Sequence, residues 1–190
     1  MKKRDFLATM AAGAAVPLCA GAQPAKGLKG PALLTVTGAI TKANRGAFDG
    51  ILDQMMAKQK LKFDKAHAFD FAALAAMPAV TIHPSLEYDN KKHELKGPLL
   101  STVLEAAGAT GTKLATRAVD GYAPVITVAD AKKYGFIIAT HLDGQPMPLG
   151  GFGPLWAVYE PDKFADMVAK PISDRFANCP WGLYHIDVQA

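Results

Sequence analysis

Between Gly97 and Glu160 the chain alternates short apolar runs with three turn signatures, and this spacing limits the fold more than any other feature. Asp120-Gly121, Asp143-Gly144 and Gly150-Gly151-Phe152-Gly153 read as turns. Glycine reaches backbone conformations closed to other residues, and aspartate bonds its own backbone at such points. The runs Val125–Val128, Phe136–Thr140 and Leu155–Tyr159 have strand length and are rich in β-branched and aromatic residues. Pro98 at a first helical position predicts one helix ahead of them, running through Ala107 with Gly108 past its end. Such a chain builds a compact mixed sheet with functional loops, not a helix bundle.

The flanking segments extend that pattern. Ala32–Ile40 reads as a first strand closing at Gly38. Phe48, Ile51, Leu52, Met55 and Met56 recur at helical spacing, which predicts a helix over Phe48–Lys60 with a core-facing stripe. A second helix over Phe69–Met77, stopped by Pro78, leads into a strand at Val80-Thr81-Ile82. His83–His93 is polar and turn-rich, the sort of loop that borders a site. Glu94-Leu95 ends a short strand; Leu114–Val119, Val125–Val128, Phe136–Leu142 and Leu155–Val158 are further strands. Asp130–Lys133 and Phe164–Val168 are short helical pieces, and Trp181–Val188 alternates as a closing strand.

A length of 190 residues fits one domain, expected over residues 32–190, and 50% hydrophobic residues suffice for a core. Of the formal charge of +4, Lys2, Lys3, Arg4 and Asp5 contribute +2 at the extreme N-terminus. The remaining +2 forms no basic stripe, which argues against nucleic acid. Residues 1–22 have the order of an export signal: a basic start, an apolar run Phe6–Leu18 and an Ala20-Gly21-Ala22 cleavage pattern. Lys3-Arg4-Asp5-Phe6-Leu7 resembles a twin-arginine signal with lysine at the first arginine, and the general secretory route is the alternative. The mature product is expected to be periplasmic, after a linker at residues 23–31. It would keep Cys179 alone, with no partner for an intramolecular disulfide.

The five histidines, His67, His83, His93, His141 and His185, show no metal-binding spacing, and no nucleophile elbow or phosphate-binding glycine loop occurs. Asp120-Gly121-Tyr122 offers a carboxylate, a flexible turn and an aromatic face that can grip a heterocycle. A carboxylate holds an amidine-like edge by two parallel hydrogen bonds, and Tyr122, Phe152 or Trp156 can stack on the rings. A hairpin turn with a packed tyrosine is the competing reading, and residue chemistry alone favours it.

From Leu33 onward the chain resembles the sulfite-oxidase-type molybdopterin-binding domain, through LTVTGAI, FDFAALAAMPAVTI, LKGPLLSTVLEAAGA, RAVDGYAPVITVADA, IIATHLDGQPMPLGGFGPLWAVYE and WGLYHIDV. The resemblance implies an α+β fold with a mostly β core and short helices. It also exposes two departures. Where the molybdenum enzymes carry a metal-ligating cysteine after the Val80–Ile82 strand, this chain has His83-Pro84-Ser85. Trp156 stands where they carry a phosphate-gripping arginine, so molybdenum redox chemistry is not expected. The chain is similar to small exported PruR-type proteins, which bind reduced pterins and report to a membrane partner. Carried over, Asp120, Tyr122 and Trp156 match the motif positions, with Arg117, His83, Tyr88 and Phe152 as neighbours by loop placement. The implied function is a non-catalytic periplasmic pterin sensor. The alternative is an oxidoreductase whose molybdenum cofactor lacks the usual cysteine ligand.

Overall fold

A computed structural model describes residues 25–190, so the expected export segment, residues 1–22, lies outside the described residues. Strands β1 (Leu34–Gly38) and β2 (His67–Phe69) are separated by helix α1 (Gln54–Lys58), and α2 (Phe71–Ala75) follows. Next come β3 (Ala79–Ile82), β4 (Leu95–Pro98), α3 (Leu100–Ala107), β5 (Lys113–Ala118) and β6 (Val125–Thr127). Then follow α4 (Val128–Lys133), β7 (Ile137–Ala139), β8 (His141–Leu142), β9 (Gln145–Pro146) and β10 (Trp156–Val158). The chain closes with α5 (Ala165–Val168), α6 (Ile172–Arg175) and β11 (Leu183–Gln189). Among the described residues no helix is long and apolar enough to cross a membrane.

The C-terminal strand β11 lies at the middle of the principal sheet, ordered β2-β1-β11-β5-β6. It runs parallel to β1 and antiparallel to β5, so five of its seven residues are buried. A central strand has no solvent-facing edge, and sequence ends carry no mark of that position. Gly38 closes β1 at φ +81°, where a Cβ would sit 2.2 Å from the Val188 carbonyl oxygen.

A second layer holds the four-stranded sheet β3-β4-β8-β9 and the pair β10-β7. Where β4 crosses β7 the backbones nearly touch: a Cβ on Gly97 would lie 1.9 Å from the Ile138 oxygen. Helix α3 plugs the space beside them with Leu100, Val103, Leu104 and Ala107. Burial of each large aliphatic side chain contributes roughly 1.5–3 kcal/mol. Gly108 ends the helix at φ 66°, as the sequence predicts.

Four expectations change. Pro98 does not open α3; it pairs with Ala79 at the end of β4, and the Leu100 N–H donates to Phe136, which starts the helix two residues later. Phe136–Leu142 is not one strand but β7 and β8, divided at Thr140, whose N–H turns to the Lys96 carbonyl. The Phe48–Lys60 helix shrinks to α1, because the Asp49 carboxylate takes the N–H groups of Ile51 and Leu52 and holds them in a turn. Its apolar stripe is mostly outside the core: Ile51 and Leu52 are exposed, and Met56 alone of its two methionines is buried. Residues 25–31, expected as a linker, are tied to the fold by Lys26 to the Asn44 carbonyl and Gly30 to Asp70 Oδ2, both at 2.8 Å.

Candidate functional site

The turn after β5 carries Asp120-Gly121-Tyr122 to the rim of a cleft of about 310 Å³. Its opposite wall is the segment ahead of β11, with Phe176, Pro180 and Trp181, and loop 83–93 supplies Glu87 and Tyr88. Asp120 Oδ1 accepts the Tyr122 N–H at 2.9 Å, which fixes the turn on an exposed side chain. The Tyr122 hydroxyl donates to the Ala177 carbonyl, pinning the ring across the cleft.

A neighbouring hollow of about 270 Å³ shares Tyr88 and Trp181 and adds Gly150, Gly151 and Phe152. Together they form one aromatic trough. Trp181 Nε1 donates to the Tyr88 hydroxyl at 3.1 Å, and the Tyr88 ring lies 5.2 Å from Phe152. Phe152 stacks in turn on Trp156, with centroids 4.8 Å apart at 18°. These edges and faces present stacking surfaces to a flat ring system.

Charge at the cleft is one-sided. Glu87 and Asp120 line it, and among the described residues no lysine or arginine lines either hollow. Cys179 lies at the floor, 4% exposed, and burial pushes its thiol pKa well above the ordinary value. Burial also raises the Tyr88 phenol, against the opposing effect of the Trp181 N–H it accepts. Both groups are therefore protonated at neutral pH.

The sequence-predicted residues divide. Asp120, Tyr122, Tyr88 and Phe152 converge on the trough. Trp156 does not reach it: the residue is 1% exposed, with its indole N–H donated to the Cys179 carbonyl at 2.8 Å. Its ring backs Phe152 from the core side. Arg117 points from β5 to the Gly121 carbonyl at 3.4 Å and supports the turn from behind. His83 also lies off the cleft, its N–H on Glu160 Oε2 and its ring 3.8 Å from Glu94. His141 packs against Phe71.

No known family and no curated protein matches the sequence. Among solved structures, the sulfane dehydrogenase SoxCD from Paracoccus pantotrophus matches with a TM-score of 0.53 at 13% identity. The match covers 82% of this chain and 37% of that one. The two share a fold. This chain thus spans little more than a third of the dehydrogenase, and the likeness speaks to architecture alone.

Trp181 and Glu87 are the site residues that motif reading missed. The sequence pattern predicts Trp181 as the first residue of the closing strand, yet β11 starts at Leu183. Pro180 and Gly182 flank it, and an aromatic between two strand-breaking residues is the signal that places it in a loop. Glu87 carries no comparable mark.

Proposed function

We propose that this protein is a non-catalytic pterin-binding sensor of the periplasm that reports ligand state to a membrane partner. One observation carries the reading: an aromatic trough bears two carboxylates and, among the described residues, no cation. A pterin has an amino-amidine edge for the Asp120 carboxylate and a bicyclic face for Tyr88, Tyr122, Trp181 or Phe152. The same charge pattern disfavours a phosphorylated ligand, which a cationic grip would recognise. The shared fold and the resemblance to molybdopterin-binding domains and PruR-type proteins support a ligand of pterin type. The N-terminal charge and apolar pattern supports export.

A second reading is a molybdenum-cofactor oxidoreductase, favoured by the likeness to a dehydrogenase and by Cys179 at the cleft floor. The residues present fit that cofactor poorly. The free cysteine among the described residues is buried and held as a thiol, and no cluster of three metal-ligating side chains occurs among them. The experiment is to purify the exported protein from a host able to make the cofactor, denature it, and identify the released small molecule and metal. A free pterin without molybdenum supports the sensor. A phosphorylated molybdopterin with near-stoichiometric molybdenum overturns it.

A further inference from the structure

Loop 83–93 is a compact excursion whose tip reaches the trough. Leu86 anchors it in the core at 2% exposure, and its N–H donates to the Lys91 carbonyl at 2.9 Å. Glu87 and Tyr88 thereby stand over the cleft, while the far end of the loop ends at His93. That histidine lies between two carboxylates. Its Nδ1 is 2.7 Å from Asp143 Oδ2, and its Nε2 is 3.0 Å from Asp89 Oδ2. Asp143 sits at the β8–β9 turn, and its other oxygen accepts the Glu94 N–H at 2.9 Å. The contact therefore joins the Tyr88 loop, which links β3 to β4, to the β8–β9 turn of the same four-stranded sheet.

The hydrogen-bond inventory decides the charge. Both partners are carboxylates, acceptors only, so both ring nitrogens must donate. Only the imidazolium does so. A neutral ring offers one N–H and one lone pair, and it would set that lone pair against a carboxylate oxygen at contact distance. The charged groups facing the ring are Asp89 from its own loop and Asp143 from the β8–β9 turn. Lys91 acts on Asp89, and adjacent Glu94 is engaged by His83. Hydrogen bonds to Asp89 and then Asp143 raise the His93 pKa, and bonding to His93 lowers both aspartates, in agreement with this geometry.

We propose that His93, as an imidazolium, is a positioning residue that fastens the Tyr88 loop over the trough, so that ligand affinity falls as His93 loses its proton. The ligand half of this statement rests on the pterin-binding reading above. Tyr88 couples the loop to the trough: it lines both hollows, accepts the Trp181 N–H and touches Phe152. Release of Asp89 or Asp143 frees the end of the segment that carries it. The fastening is present below the His93 midpoint and is lost as pH rises through it, a window lying above the ordinary value of 6.5.

The test follows two NMR signals in the full chain: the His93 ring carbon resonance and the Trp181 indole N–H, the latter assigned with Trp181→Phe. The expected result is that the indole signal shifts with the same midpoint as His93. Asp89→Asn supplies the discriminating variant. An asparagine amide turns either its oxygen or its nitrogen to the ring, so both protonation states of His93 are satisfied and the indole signal becomes independent of pH. With 7,8-dihydrobiopterin as probe, wild type should bind about fivefold more tightly than His93→Gln below the midpoint, with no difference above it. An indole signal that ignores His93, an Asp89→Asn variant whose indole signal still titrates, or an affinity ratio constant with pH overturns the proposal. The indole readout needs no ligand, so a protein that binds no pterin refutes the function proposed above and leaves this test standing.

Discussion

His185 is a buried histidine with a measurable cost at low pH. On the central strand β11 it is 1% exposed, its Nε2 meets the Thr37 hydroxyl at 3.0 Å, and its Nδ1 has no hydrogen-bond partner. Burial, against the pull of Asp187, pushes its pKa down to about 4 from 6.5. The unfolded chain binds this proton near pH 6.5 and the folded protein only near pH 4, so stability falls as pH drops between them. At 1.36 kcal/mol per unit the whole transition amounts to about 3 kcal/mol, a large share of the 5–15 kcal/mol typical of a domain. Urea unfolding of wild type and His185→Gln at a series of pH values isolates the effect, because the other titrating groups cancel in the difference. The wild type should lose about 3 kcal/mol more than the variant between about pH 7 and about pH 4. Equal slopes for the two proteins would refute the reasoning.

Gly97→Ala should lower the unfolding free energy by about 3 kcal/mol or more, measured in urea, since the new methyl meets backbone rather than a flexible side chain at Ile138. Asp120→Asn keeps an oxygen for the Tyr122 N–H and removes the charge; reduced-pterin affinity should fall about tenfold while thermal stability stays within a degree or two. Trp181→Ala removes the donor to Tyr88 and one wall of both hollows, and calorimetry should show affinity reduced about tenfold or more. Trp156→Phe, by contrast, should cost stability more than affinity, because the indole bonds the Cys179 carbonyl inside the core.

Short-range chemistry carried much of this fold. The αL glycine at Gly108 and the turn at Asp120-Gly121-Tyr122 are dictated within a few residues of chain. What depended on distant partners was not legible. Pro98 finishes a strand because Ala79 pairs with it, and residues 49–53 turn rather than coil because Asp49 captures the next amides. The site shows the same division. Asp120 and Tyr122 could be picked out as a local motif, whereas Trp181 joins them only through the position of β11 in the sheet. Trp156 matched a motif position, yet β10 is covered by Phe152 and Phe176, which leaves its ring no ligand-facing surface.

In the proposed function the carboxylate-lined aromatic trough binds an unphosphorylated pterin. Anaerobic calorimetry of the purified protein with 7,8-dihydroneopterin and with its monophosphate tests it directly. The free pterin should bind at micromolar concentration and the monophosphate more weakly, with both lost in Asp120→Asn combined with Trp181→Ala. Tighter binding of the phosphorylated compound, or binding indifferent to the double substitution, would contradict it.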